Sequence, residues 1–256
     1  MTAEVLHPET TPGAATGTSE GDTPVSTPSR PVPLDRRTSP AGSLHADLAA
    51  ASVGDEETWA TTGRGVRLRE VPFLTQVGIR AVPGTATRAQ VEALLGAPLP
   101  TRAGATAAVP GTGGLLALWL SPDEYLLVGT TGGPEEPTGT EVVGQVCRTV
   151  AGTTEPGEGG GIATAAVLDL SANRTTFEVA GPSARDLLRT GVPLDVHPEV
   201  FAVGSAYVTT LGKVSVVLHR TGADTYRVMP RSSFAVHVGR WLIGAAAEFA
   251  VPAPPS

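Results

Sequence analysis

Between Asp169 and Pro198 the chain reads DLSANRTTFEVAGPSARDLLRTGVPLDVHP. Asp169, Asn173, Arg174, Ser183 and His197 fall within this one stretch. These residue types can do chemistry. Asp169 could serve as a base, and Arg174 could clamp a carboxylate through its planar fork of donors. His197 carries the one side chain whose ordinary pKa lies near neutrality. The same residues also have a structural reading. SANR (171–174) is a turn whose Asn tolerates left-handed backbone angles. Asp169, Asn173 and Arg174 are therefore read first as turn or subunit-contact residues and only second as catalysts.

Other chemistry-bearing residues lack the company a reaction needs. A serine nucleophile requires a sharp elbow and a paired base; Ser183 lies in GPSAR and reads as a polar residue of a first helical turn. The five histidines are His7, His45, His197, His219 and His237, and no H-x-x-x-H or H-E-x-x-H spacing occurs among them. No metal site is expected from that pattern. Gly159, Gly160 and Gly161 precede a strand-like run. A phosphate cradle needs the reverse order, strand then glycines then helix, so these glycines read as a flexible linker. Cys147 is the single cysteine, which excludes an internal disulfide and a multi-cysteine zinc site. Arg220, Arg227, Arg231 and Arg240 crowd a charge-balanced half of the chain. Arg227 alternates against Tyr226 and Val228, while Arg231, Ser232 and Ser233 open the last helix. A solvated face and a contact surface rich in Arg both remain open. On the contact reading the candidate residues are Asp169, Asn173, Arg174, His197, Arg227, Arg231, Ser232 and Ser233. No catalytic, cofactor-binding or metal set is complete.

The elements that would position these residues follow from periodicity. Strands are expected at TAAVLDL, TTFEV, SAYVTTL, KVSVVLH and TYRVM. A short helix is expected after Gly181-Pro182, with Gly181 as its cap, Ala184, Leu187 and Leu188 as its apolar stripe, and Gly191 as a left-handed stop. The last helix would bury Phe234, Val238, Trp241 and Leu242. An earlier segment echoes this order: TQVGIRAVPGTATRAQVEALLGAPL matches NRTTFEVAGPSARDLLRTGVPL in strand, turn, helix and a final Pro-Leu. Thr87 and Gln90 have the spacing of a capping box before Val91, Leu94 and Leu95. ALWLSPDEYLLVG (117–129) matches VLHRTGADTYRVMP (217–230), each with a Tyr early in its second strand. A repeat that keeps its order implies a repeated fold unit. The order β, α, β, β, α suits an α+β fold of two ferredoxin-like, split βαβ units. The first copy reads as partial.

The expected organisation is a mostly disordered polar tail over 1–64, a folded region over 65–250, and a tail over 251–256. Within the folded region the first unit spans 66–130, a flexible linker 131–162 and the second unit 163–250. Gly (31) and Pro (23) are abundant and aromatics are 4%, as a partly non-globular chain of 256 residues requires. Residues 1–163 hold 10 Lys/Arg against 18 Asp/Glu, and residues 164–256 hold 8 against 7. No basic stripe points to nucleic acid. No apolar run reaches the roughly 18 residues of a membrane helix, and the first residues lack a secretory leader pattern. A cytoplasmic protein is the expectation.

The region from DLSANRTTFEVAGPSARDLL through LGKVSVVLHRT to YRVMPRSSFAVHVGRWL resembles the gamma subunit family of heterotetrameric sarcosine oxidase. NRT, GPxARDLL, GxPLDxHP, LGKVSVVLHRT and YRxxxRSSFA carry the resemblance, and LWLSPDEYLLVG (118–129) fits it. The resemblance implies a fold related to the folate-binding aminomethyltransferase and YgfZ-like group. It implies a non-catalytic gamma subunit that supports a complex with alpha, beta and delta partners. That complex would oxidatively demethylate sarcosine to glycine, with hydrogen peroxide and formaldehyde or 5,10-methylenetetrahydrofolate. FAD, FMN, NAD and tetrahydrofolate are implied in the partner subunits and none in this chain. A stand-alone folate-binding module of the YgfZ and aminomethyltransferase kind is the alternative.

Overall fold

The computed structural model describes residues 37–133, 135–150 and 165–249. The polar tail before residue 37, most of the glycine-rich linker (151–164) and the terminus from 250 lie outside the described residues. The helices are α1 (His45–Ala51), α2 (Glu56–Thr62), α3 (Ala86–Leu95), α4 (Gly139–Val150), α5 (Ala184–Arg189) and α6 (Ala235–Ala246). The strands are β1 (Arg67–Glu70), β2 (Gln76–Ala81), β3 (Thr106–Val109), β4 (Leu115–Ser121) and β5 (Glu124–Val128). They continue with β6 (Ala165–Asp169), β7 (Phe177–Ala180), β8 (Ala206–Leu211), β9 (Val214–Gly222) and β10 (Thr225–Pro230).

Two antiparallel five-stranded sheets result, in orders β3-β4-β5-β2-β6 and β1-β7-β10-β9-β8. The first contains a complete ferredoxin-like unit: β2, α3, β4, β5, α4 and β6 in spatial order β4-β5-β2-β6, with β3 added at the edge. The second repeats it with β7, α5, β9, β10 and α6, and β8 takes the place of β3. Its fourth strand is β1, from the N-terminal side of the first unit. The sheets therefore do not follow the sequence boundary near 163. β1 crosses into the second sheet, and the second sheet's copy, not the first, is the one that borrows a strand. Local periodicity identifies a strand but not its neighbours, because register is set across space.

Alternation sorts each strand's side chains between two faces. Tyr125 and Leu127 of β5 point to α3 and α4, with Val91, Leu95, Val142 and Val146. Tyr226 and Val228 of β10 point to the layer of α1, α5 and α6, with Leu48, Leu187, Leu188, Val238 and Leu242. Leu118, Leu126 and Val128 meet Ala206, Val217 and Met229 between the sheets. The two repeat-related tyrosines are fully buried, and each lies under an arginine. Arg88 sits 5.4 Å from the Tyr125 ring and Arg220 5.8 Å from that of Tyr226.

Several local expectations shift. Residues expected in the tail and linker are part of the core. Leu44 and Leu48 at α1 are buried, and two such side chains contribute roughly 3–6 kcal/mol. α4 buries Val142 and Val146 against the first sheet. The cap of α3 is Thr85, whose side chain accepts from the Arg88 N–H, two residues before the expected box. α5 begins at Ala184 after Ser183, and Gly181 (φ 119) makes the turn before it. A Cβ at Gly181 would meet the Gly65 carbonyl at 2.7 Å. Gly191 is no left-handed stop: Thr190 ends α5 in right-handed geometry, and Gly191 leaves room for the Trp241 ring. Phe234 stands outside the stripe of α6, 46% exposed, because residues 232–234 form a separate 3-10 turn.

Candidate subunit-contact surface

The two units are joined by crossovers that mirror each other. Leu170, just after β6, donates its N–H to the Gln76 carbonyl, and Val71, just after β1, donates to that of Thr176, both at 2.8 Å. Gly129 N–H donates to Thr75 O at the end of β5, and Thr175 N–H donates to Pro230 O at the end of β10. Segments 70–76, 129–133, 169–176 and 230–234 are thereby stitched together at one end of the sheets.

Most of the sequence-selected residues meet there. Asp169 ends β6, and its Oδ1 accepts from the Ser171 N–H (3.0 Å) and hydroxyl (2.7 Å). Its Oδ2 accepts from Thr140 Oγ1 in the first turn of α4. Gly139 lets this carboxylate approach, since a Cβ there would collide with it. Asp169 therefore closes a turn and ties it to the first turn of α4, whose own capping pair is Thr138 with Glu141. Asn173 donates its N–H to Leu170 O and accepts from the Ser232 N–H (2.8 Å). The Ser232 hydroxyl donates to Ala172 O at 2.7 Å. Arg174 and Arg231 face each other across an antiparallel bridge. Arg174 Nη1 donates to the Met229 carbonyl at 3.1 Å, and its own carbonyl accepts from Gln76 Nε2. Burial first, and the Arg231 charge second, lower the pKa of Arg174. Arg231 and Ser233 are exposed.

Arg227 serves the seam between the sheets. Its Nη2 donates to Thr130 O at 2.6 Å and its Nη1 to Gly129 O at 3.4 Å. Register places it beside Glu178, which pairs with Arg69 on one side, and beside His219, which pairs with Ala206 on the other. A polar row thus crosses the second sheet on the face that meets the first. Arg69 Nε bonds Glu178 Oε1 at 2.7 Å, which raises the Arg69 pKa. His219 is buried, and desolvation followed by the Arg227 charge lowers its pKa to about 4.

His197 stays apart from this cluster. Its contacts lie within its own loop, to Asp195, Glu199, Val200 and Phe201. Arg220 is buried and donates to the carbonyls of Phe201, Gly222 and Ala223. Sequence reading missed Glu70. Its side chain is fully buried, accepts from Ser39, Thr175 and the Ala41 N–H, and contacts His45 Nε2 at 2.6 Å. The signal was alternation, which puts Glu70 on the inward face with Leu68 in RLRE. Among the described residues no group of three or more His, Cys, Asp or Glu is placed to hold a metal ion, and no helix is long and apolar enough to cross a membrane.

The profile described as sarcosine oxidase, gamma subunit family, matches residues 80–248. The sarcosine oxidase subunit gamma of an Arthrobacter species is 41% identical over 84% of this chain and 93% of its own. The subunit of that name from Corynebacterium sp. strain U-96 is 40% identical over 83% and 91%. A chain of the heterotetrameric sarcosine oxidase from Corynebacterium sp. U-96, solved with pyrrole 2-carboxylate, superposes with a TM-score of 0.70 at 37% identity, covering 86% of this chain and 99% of that one. The glycine cleavage system aminomethyltransferase T from Bartonella henselae shares the fold, with a TM-score of 0.53 at 14% identity, over 81% of this chain and 57% of that one.

Proposed function

The chain belongs to the sarcosine oxidase gamma subunit family, and from that premise we propose that it is the gamma subunit of a heterotetrameric sarcosine oxidase. The observation that carries this reading is the match to a chain of such a heterotetramer along 99% of that chain's length. Its partners on this reading are the alpha, beta and delta subunits, in a cytoplasmic complex that oxidatively demethylates sarcosine. The gamma chain supports assembly and leaves the chemistry to its partners. Positive structural duties support that division of labour. Asp169 closes a turn and holds the Thr140 hydroxyl of α4, Asn173 and Ser232 tie the crossover to the turn before α6, and Arg220 and Arg227 hold loop carbonyls. The flavins, NAD and tetrahydrofolate would sit on the other subunits.

Co-expression with the three other subunits, followed by affinity capture through a tag on one of them, tests the proposal. The gamma chain is expected in stoichiometric amount, and flavin absorbance should stay with the other subunits when gamma is separated under mild denaturation. A gamma chain that elutes alone beside an intact complex of the rest would refute it.

A further inference from the structure

Arg174 and Arg231 are direct cross-strand partners in an antiparallel bridge. Partners of this kind project to the same side, with Cβ atoms about 4.5–5.5 Å apart, and like charges so placed destabilise the pair. Burial adds to the problem, since Arg174 is part-buried and a desolvated guanidinium is costly without a counter-charge. Yet the ion pairs among the described residues include neither Arg174 nor Arg231. One guanidinium nitrogen of Arg174 is satisfied by the Met229 carbonyl, a neutral acceptor. The chain carries a formal charge of −7, yet among the described residues no carboxylate is paired with either arginine. Arg231 is exposed, as are its neighbours Ser233 and Phe234. An aromatic beside an unpaired Arg on a surface is the composition of an interface centre.

We propose that the Arg174–Arg231 pair receives, as hydrogen-bond donors, an Asp or Glu side chain of a neighbouring subunit, with Phe234 as the adjoining apolar contact. The inference rests on the gamma-subunit reading and says where on this chain the complex is held. A carboxylate between two guanidiniums relieves their repulsion and gains charge-assisted hydrogen bonds. The isolated chain keeps the repulsion, so docking is favoured without any change of fold. The crossover that carries Arg174 also links the two sheets, and Arg231 opens the turn into α6. One acidic contact would therefore bear on both units.

The test uses the co-expressed complex, captured through a tag on another subunit and washed at rising NaCl. Arg231→Glu is expected to weaken retention of gamma at least about tenfold, about 1.4 kcal/mol. Arg231→Lys should stay within about threefold of wild type, because the charge survives and only the fork geometry goes. Arg64→Glu, the same reversal at an exposed site outside the crossover, should leave retention unchanged. Thermal melting of each variant chain checks folding, and Arg231→Gln gives the reading if the Glu variant melts low. Retention of Arg231→Glu within about twofold of wild type overturns the inference, as does equal loss with Arg64→Glu, which would mark a general charge effect. Sulfate or phosphate stabilising the wild-type chain through Arg231, with assembly of the Glu variant intact, also overturns it and marks an inorganic-anion site. Failure of the wild-type chain to join the complex would instead refute the gamma-subunit reading.

Discussion

Mild acid is expected to destabilise this chain through a single buried imidazole. His219 lies on the face of β9 toward the other sheet and is 6% exposed. Burial, and then the Arg227 charge beside it, lowers its pKa from 6.5 to about 4. The unfolded chain takes up a proton on this ring below pH 6.5, whereas the native chain does not until about pH 4. In that window the unfolded state binds more protons, so stability falls as pH falls. Each pKa unit is about 1.4 kcal/mol. Roughly 2 kcal/mol is lost by about pH 5, and roughly 3 kcal/mol once the native ring titrates. For a domain of this size about 2 kcal/mol corresponds to a Tm about 4–8 °C lower. The assay is thermal melting followed by circular dichroism at several pH values from about 7.5 to about 5, on wild type and His219→Gln. Asp55, Asp123 and Glu141 also have lowered pKa values, but their contributions are lost only below their ordinary values of 3.8 to 4.5, and the substitution leaves them in place. The difference between the two proteins therefore isolates His219. It should change by about 2 kcal/mol across the window. A constant offset between the two melting curves at every pH would refute the reasoning.

Two further outcomes follow from other residues. Glu70→Ala leaves the buried Ala41 N–H and Thr175 hydroxyl without their acceptor, which should cost about 2–4 kcal/mol and open the α1 segment to protease before the rest of the chain; a Tm within about 2 °C of wild type would contradict the role given to this carboxylate. Gly212 (φ 53) and Lys213 (φ 73) form the two-residue turn between Leu211 and Val214, both in the left-handed region. Lys213→Gly should raise stability by up to about 1 kcal/mol in urea unfolding, and a loss of stability would show that the Lys side chain has a contact that matters.

What could be read from the sequence is what depends on near neighbours. The five strands expected after residue 163 are present, because each is a short run rich in apolar and β-branched residues that ends at a turn signal. The match of Tyr125 to Tyr226 was legible because both strands conserve the order strand, polar turn, strand. The contact cluster was legible in part, since Asp169, Asn173 and Arg174 lie in one turn and Arg231 and Ser232 in another. That the two turns touch was not, because Ser232 reaches Ala172 across 60 residues of chain. α1 was underestimated for the same reason. Its sequence HADLAAA offers little apolar surface, and much of its anchoring comes from Glu70, which is distant in the chain. Gly181 and Gly191 sit next to a helix as capping glycines do, but close approach of Gly65 and Trp241 is what demands them.

The crossing of β1 and β6 bears on how the chain folds and where a partner can hold it. β1 closes the second sheet through contacts such as Arg69 to Glu178, which span 109 residues, and β6 closes the first from a position after the whole first unit. Neither sheet has all its strands until both units are present, so the two should unfold as one cooperative transition rather than two. Pairing at such separations also makes folding slow, because loop closure must precede the reward of the contact. The strained and charged groups left over from that closure gather where the crossovers meet. Phe73 there adopts φ 60 and stays 38% exposed, and Arg174 faces Arg231 with no carboxylate paired to either among the described residues. On the docking reading, a partner seated at this end would brace the crossovers on which both sheets depend.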